Sequence, residues 1–177
     1  MKRVRRVIRG KNVICHPALT GFLENTYTCG QWVYDRVKQS GNAIYLRGRI
    51  PVLAGNLEGM PTVIKRHVHG GLLARLTGDR FLSANRVTGA LNASDMLIQN
   101  NIATPEYRFV TWERSGIWVR MESGVAYAHD AVDASDFFFG SNRENGFVNF
   151  EDMAQSLGRF VYRLHRTGYR HPDLNLM

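Results

Sequence analysis

Three short runs rich in β-branched and aromatic residues constrain the fold of this chain more than any other feature. They are AIYLRG at 43–48, VLAGN at 52–56 and TVIKRHV at 62–68. Turn-forming residues separate them, first in RGRIP at 47–51 and then in GNLEG at 55–59. Short strands joined by such turns predict a three-stranded antiparallel meander.

The segments that follow the meander predict a helix, a hairpin and a second helix, in that order. Apolar residues recur at helical spacing over 86–100, which favours a helix there. YRFVTWER at 107–114 and GIWVRMESGV at 116–125 predict a hairpin. The clearest helical periodicity of the chain covers 150–164, and Gly168 is well placed to follow the helix C-terminus.

This order of elements predicts an α+β fold with two lobes. The first lobe, residues 42–125, would hold a five-stranded antiparallel sheet and one helix. Residues 1–41 would form a basic N-terminal extension with short helices. Residues 126–177 would contain a linker, the long helix that opens an incomplete second lobe, and a final loop.

The charge of the chain favours an anionic partner. The formal net charge is +8, and six of the first eleven residues are Lys or Arg. Nucleic acid, anionic lipid headgroups and a phosphorylated substrate all remain compatible with this charge. We expect no transmembrane segment and no signal peptide, and we interpret Cys15 and Cys29 as reduced cytosolic thiols.

Asp173 is the first candidate for chemistry because it follows the long helix in the run H-P-D-L-N, residues 171–175. In protein kinases the Asp of H-R-D-x-x-x-x-N accepts the proton of the acceptor hydroxyl. The alternative is a turn closed by the Asp and Asn side chains. The order of elements favours the kinase interpretation, since it matches the lobe that precedes a kinase catalytic loop.

Lys65, in the third strand of the meander, is the candidate ligand for nucleotide phosphates. Kinases place a lysine on this strand, where its ammonium neutralises phosphate charge. The alternative is an ordinary solvent-facing lysine. Gly48 is the glycine of the turn between the first two strands. In kinases a loop with glycine at this place covers the phosphates of ATP. Asp95 is the one acid between 86 and 100, so it is the candidate ion-pair partner of Lys65.

The chain resembles the bacterial lipopolysaccharide core kinases, in particular the 3-deoxy-D-manno-octulosonic acid (Kdo) kinases. The resemblance covers residues 43–177 and is carried by VIKRHVHGGL at 63–72 and LHRTGYRHPDLN at 164–175. It implies a protein-kinase-like N-terminal lobe and transfer of phosphate from ATP to a Kdo hydroxyl. The resemblance further implies Asp173 as the catalytic residue, with Gly48 and Glu122 joining Lys65 in binding ATP.

The resemblance also implies the partners and the location. The acceptor would be lipid A–Kdo at the cytoplasmic face of the inner membrane, with ATP as donor and Mg²⁺ as cofactor. Basic residues would contact the anionic surface, each contributing about 1 kcal/mol. The candidates are Lys2, Arg3, Arg5, Arg6, Arg66, Arg75 and Arg80.

The metal ligands of protein kinases follow the catalytic Asp in the sequence. We therefore expect the natural protein to continue past Met177, and we do not expect residues 1–177 alone to transfer phosphate. His67 and His69 lack a third ligand nearby, so no metal site is assigned. The alternatives are a kinase-like phosphotransferase with a protein or small-molecule acceptor, and a basic domain that binds membrane or nucleic acid. Of these partners, nucleic acid is the least expected.

Overall fold

The structure, a computed structural model, describes residues 2–41, 43–46, 52–69, 77–128 and 150–169. The chain divides into two compact units. The first contains residues 1–95 and 105–127, and the second contains residues 96–104 and 128–177. In the described part of both units, no helix is long and apolar enough to cross a membrane.

The described ranges contain seven strands and four α-helices. In chain order they are β1 Val4–Ile8, β2 Lys11–Cys15, a short 3-10 helix Pro17–Leu19, α1 Thr20–Thr28, α2 Val33–Gln39, β3 Ile44–Leu46, β4 Val52–Leu57, β5 Met60–Arg66, α3 Asn85–Gln99, β6 Tyr107–Ser115, β7 Trp118–Ala126 and α4 Phe150–Arg166. The fold is therefore α+β, as the order of hydrophobic patterns predicts.

The strands form one antiparallel sheet with the order β1-β2-β6-β7-β5-β4-β3. The predicted meander is β3–β5 and the predicted hairpin is β6–β7. They join where β5 pairs with β7, so that Lys65 lies opposite Ser123. All five predicted strands are present within a few residues of their expected bounds.

The sheet has seven strands where the sequence predicted five. The two additional strands, β1 and β2, come from a region that was predicted to hold only short helices. They form a hairpin that pairs with β6 and extends the sheet at that side. The short helices predicted over 18–39 are also present, as the 3-10 helix, α1 and α2.

Two of the hairpins close through two-residue turns with positive φ angles at both positions. Arg9 and Gly10 have φ of 47° and 80° between β1 and β2, and Glu58 and Gly59 have φ of 50° and 79° between β4 and β5. Such turns match the twist of antiparallel strands and favour Asn or Asp followed by Gly. Here Arg and Glu occupy the first position at a small cost in conformational energy.

One face of the sheet is covered by α1 and α2. Its core includes Tyr27 of α1, Val33 of α2 and Phe109 of β6, all fully buried. Phe109 lies directly over Gly124 of β7, because a Cβ built on Gly124 would be 2.3 Å from its ring. A side chain at position 124 would displace this ring, so glycine is required there.

The opposite face is covered by α3. Val87 and Leu91 of this helix pack with Ile14, Val110 and Met121 of strands β2, β6 and β7. Adjacent residues of a strand point to opposite faces, which is why Val110 lies under α3 while its neighbour Phe109 lies under α1 and α2. This face carries the candidate functional site.

The second unit contains α4, the last residues of α3 and the segment that follows α3. Leu164 of α4 is buried with Leu97 and Ile102. The guanidinium of Arg163 donates to the Asn101 carbonyl at 2.7 Å. Gly168 has a φ of +77°, and its N–H donates to the His165 carbonyl at 3.0 Å. The helix therefore ends with the glycine that the sequence pattern predicted.

Candidate functional site

Lys65 lies on the face of the sheet that α3 covers. Its neighbour Ile64 is fully buried in the core on the other face, and strand alternation places Lys65 opposite to it. The Lys65 side chain is exposed. Within the described ranges its ammonium forms no ion pair, so its charge is not neutralised by a carboxylate there.

His67 lies two residues further along the same face and is only 7% exposed. Its Nε2 is 3.0 Å from the Ser123 hydroxyl, whereas its buried Nδ1 has no hydrogen-bond partner in the part of the chain that is described. Burial, together with the positive charges of Lys65 and Arg86, lowers the pKa of His67 to about 4. His67 is therefore neutral at pH 7, and it reports a positive potential between the end of β5 and the start of α3.

A cavity of about 400 Å³ lies at this end of the site. It is lined by the segment before α3, by the first turn of α3 and by the start of β7. The residues that matter most are His69, Arg80, Phe81, Leu82, Arg86 and Trp118. The His69 and Phe81 rings stack with centroids 4.1 Å apart, and the Arg86 guanidinium is 5.8 Å from the Phe81 centroid.

The arginines of this cavity carry charges that no described carboxylate neutralises. Arg80 and Arg86 are both exposed, and neither forms an ion pair within the described residues. The acid nearest to them in sequence, Asp79, is paired with Arg120 at 2.7 Å. These two arginines make the cavity cationic, and Arg86 and Lys65 both contribute positive charge near His67.

Asp95 does not pair with Lys65, so that prediction is wrong. Both of its carboxylate oxygens accept hydrogen bonds from the Arg3 guanidinium, whose Nε lies 2.8 Å from Oδ2. Arg3 also donates to the Tyr107 carbonyl at 2.8 Å. The competing partner comes from β1, a strand that the sequence analysis did not predict.

Glu122 is fully buried on the opposite face of the sheet, away from Lys65. Its carboxylate accepts hydrogen bonds from the backbone N–H groups of Val33 and Tyr34 at 2.9 and 3.0 Å and from the Tyr27 hydroxyl at 2.9 Å. Burial raises the pKa of Glu122, although these three donors act in the opposite direction. Glu122 thus caps the N-terminus of α2, and we do not retain it as a nucleotide ligand.

Several predicted residues lie outside the described part of the chain. Gly48, Asp173, Arg75 and the Gly-Gly-Leu run at 70–72 are among them. Of the basic residues assigned to an anionic surface, Arg3 is paired with Asp95 and Arg66 with Asp35 at 2.5 Å. The remaining ones are exposed: Lys2, Arg5, Arg6 and Arg80.

The described residues contain no group of three or more His, Cys, Asp and Glu side chains that could hold a metal ion. His67 and His69, considered together in the sequence, have separate hydrogen-bond partners: Nε2 of His67 is next to Ser123, and Nε2 of His69 is 2.9 Å from the Arg80 carbonyl. No step of a mechanism is therefore derived through a metal bound in this part of the chain.

Sequence reasoning missed Arg86 and Phe81 as site residues. Arg86 was treated only as the start of a helix, yet a cation in the first turn of a helix is disfavoured by the helix dipole. An arginine at that position is a signal of function that the sequence itself offered. Phe81 carried no such signal, because its place beside His69 depends on the path of the chain between β5 and α3.

Comparisons with family models, with curated proteins and with solved structures gave no match for this chain.

Proposed function

We propose that this chain carries the nucleotide-binding lobe of an ATP-dependent phosphotransferase of the kinase-like type, in which Lys65 binds the phosphates of ATP. The observation that carries the proposal is the position of Lys65. It lies exposed on the α3 face, in the last strand of a meander that is followed in sequence by α3 and then by the β6–β7 hairpin. A kinase lobe uses a lysine at this place in the order of elements.

The electrostatics around Lys65 support a phosphate ligand. An ammonium without an acidic partner is available to an anion, and its pairing with phosphate oxygens gains most where other cations are nearby. Arg86 supplies such a cation, since both side chains act on His67. Because His67 is neutral, it adds no positive charge that would repel Lys65 or Arg86, and both cations remain available to bind a phosphate.

The positioning of Lys65 would differ from that in protein kinases, where a glutamate on the helix holds the lysine. Asp95 pairs with Arg3 instead. In this chain β5 itself fixes the Lys65 backbone, because it is paired with β4 on one side and with β7 on the other. The lysine is thus placed by the centre of the sheet rather than by an ion pair with α3.

By the sequence resemblance, the acceptor would be a Kdo hydroxyl of the lipopolysaccharide inner core at the cytoplasmic face of the inner membrane. Asp173 would take the proton of that hydroxyl while its oxygen attacks the γ-phosphorus of ATP and ADP leaves. Mg²⁺, when bound to ATP, would neutralise phosphate charge. A kinase-like enzyme with a protein or small-molecule acceptor would use the same lobe.

Binding of labelled ATP to the 177-residue chain, measured by equilibrium dialysis, tests this proposal, since residues 1–177 alone are not expected to transfer phosphate. We expect binding that Lys65→Met weakens and that Asp152→Asn, which changes an exposed acid of α4, leaves unaltered. In a chain that also holds the metal ligands, label transferred to lipid A–Kdo or to a generic protein acceptor would identify the acceptor. Absence of ATP binding to the 177-residue chain would overturn the proposal.

A second candidate function is binding to an anionic membrane without catalysis. It is favoured by β1, an edge strand of the sheet that exposes Arg5, Arg6 and Val7. Binding to vesicles of anionic lipid would then weaken with salt and would not change in Lys65→Met. Loss of vesicle binding in Arg5→Gln with ATP binding unchanged would show that the two properties are separate.

A further inference from the structure

The cavity between the Phe81 segment, the first turn of α3 and the start of β7 is distinct from Lys65, which does not line it, although the charge of Arg86 acts at both places. We propose that this cavity binds a small phosphate monoester with an aromatic ring, the ring against Phe81 and Trp118 and the phosphate between Arg80 and Arg86. This is a site additional to Lys65, and it does not depend on phosphotransferase activity.

The size and the walls of the cavity indicate a small organic ligand. Its volume of about 400 Å³ lies within the range of small-molecule sites. Phe81 is 8% exposed and stacks on His69, so its ring is held rigidly in the wall. Trp118, at the start of β7, and Leu82, which is 69% exposed, also line the cavity. Rigid aromatic walls favour a planar ring over a flexible chain.

The charges at the cavity indicate that the ligand is an anion. Arg80 and Arg86 line it, and no described carboxylate pairs with either of them. A guanidinium binds phosphate oxygens through two parallel hydrogen bonds, and two arginines match a group with about two negative charges. A carboxylate would leave one of the two guanidinium groups without an equivalent partner.

Two further observations agree with an anion at this place. Arg86 occupies the first turn of the fifteen-residue helix α3, where the helix dipole repels it, and a bound anion would remove that repulsion. The pKa of His67 is lowered first by burial and then by the positive charges of Lys65 and Arg86, so Arg86 contributes positive charge near His67. A phosphate between the arginines would offset the repulsion from the helix dipole and the positive charge of Arg86 that acts on His67.

Phenyl phosphate is a probe that contains both the ring and the phosphate. Its binding to the full chain is measured by isothermal titration calorimetry beside that of inorganic phosphate and of phenol. We expect phenyl phosphate to bind at least about tenfold more tightly than either part, because ring and phosphate bind together. Equal affinity for phenyl phosphate and inorganic phosphate would overturn the proposal.

Three variants test whether phenyl phosphate binds in this cavity. Leu82→Glu places a negative charge in the cavity at an exposed position, and Arg86→Gln removes a phosphate ligand; each should weaken phenyl phosphate binding about tenfold or more. Arg114→Gln removes an exposed arginine from β6, outside the cavity, and should change it less than about twofold. Equal losses in all three variants would mean diffuse attraction to a basic protein and would contradict a site.

The same variants separate this inference from phosphotransfer. Lys65→Met should weaken ATP binding by about tenfold or more while weakening phenyl phosphate binding by less than about threefold, since Lys65 lies outside the cavity lining. Binding of phenyl phosphate by a chain that does not bind ATP would refute the proposed function and leave this inference standing. Binding of ATP without binding of phenyl phosphate would refute this inference and leave the proposed function standing.

Discussion

Arg3, at the start of the chain, is paired through its guanidinium with the carboxylate of Asp95, 92 residues later in the sequence. The pair links the N-terminal end of β1 to α3, and Arg3 also donates to the Tyr107 carbonyl of β6. The side chains are 9% and 26% exposed, so the pair is largely shielded from solvent. The basic N-terminus is thereby a structural part of the first unit.

Breaking this pair should destabilise the protein. We expect Arg3→Met or Asp95→Asn to lower the free energy of unfolding by about 2 kcal/mol, between the values for exposed and for buried pairs. Urea denaturation followed by circular dichroism measures it. Arg6→Met is the matched control, because Arg6 and Glu24 are 3.9 Å apart and both well exposed, and it should cost less than about 0.5 kcal/mol.

A double-mutant cycle distinguishes the observed partner of Asp95 from the one expected from the sequence. Arg3→Met and Asp95→Asn should couple by about 1 kcal/mol or more, whereas Lys65→Met and Asp95→Asn should be additive within about 0.5 kcal/mol. Coupling between Lys65 and Asp95 of the same size would mean that the kinase-type ion pair does form.

Glu122→Gln should destabilise the fold strongly, although no exposed surface changes. The carboxylate accepts from three buried donors, and an amide would turn its NH₂ group toward one of them. We expect a loss of about 3 kcal/mol, because a buried donor is left unsatisfied beside a displaced cap. Thermal and urea unfolding measure this loss. Glu24→Gln, at an exposed position of α1, should change stability by less than about 0.5 kcal/mol.

The stability of the protein should fall as the pH is lowered from about 6.5 to about 4, in part through His67. The folded protein holds the pKa of His67 at about 4, below the ordinary 6.5 of the unfolded chain. In that interval the unfolded state binds the proton and the folded state does not, so acid favours unfolding. The contribution is at most about 3 to 4 kcal/mol, at about 1.4 kcal/mol per pH unit.

His67→Gln isolates this effect. Its free energy of unfolding should depend less steeply on pH between about 6.5 and 4 than that of the wild type. His165→Gln, which changes an exposed histidine of α4, should follow the wild-type profile. Parallel profiles for wild type and His67→Gln would contradict the lowered pKa of His67 and therefore the effects of burial, Lys65 and Arg86 on it.

Hydrophobic periodicity was sufficient to predict the meander, α3, the β6–β7 hairpin and α4. Each of these carries either alternating β-rich residues or apolar residues at helical spacing, and each ends at Gly, Asn or Pro. The β1–β2 hairpin was missed for two reasons. Its first strand, VRRVI, has charges where a half-buried strand has apolar residues, and its turn has Arg9 where Asn or Asp is the usual signal.

The site was only partly predictable, because the interactions that were predicted wrongly or missed join residues that lie far apart in the sequence. Lys65 was singled out by its apolar neighbours Val63 and Ile64, which are local. The partner of Asp95 depends on β1, so missing that strand also meant missing Arg3. The cap formed by Glu122 joins β7 to a helix almost ninety residues earlier, and no local pattern indicates it.

The binding of ATP to the 177-residue chain tests the central claim most directly. Equilibrium binding of a fluorescent ATP analogue, competed with unlabelled ATP, is measured for the wild type, for Lys65→Met and for Lys38→Met, an exposed lysine of α2. We predict that Lys65→Met weakens binding by about tenfold or more, because a phosphate ligand is lost, while Lys38→Met stays within about twofold of the wild type. Unchanged binding in Lys65→Met, with all three proteins equally stable, would contradict the assignment of Lys65 to the phosphates of ATP.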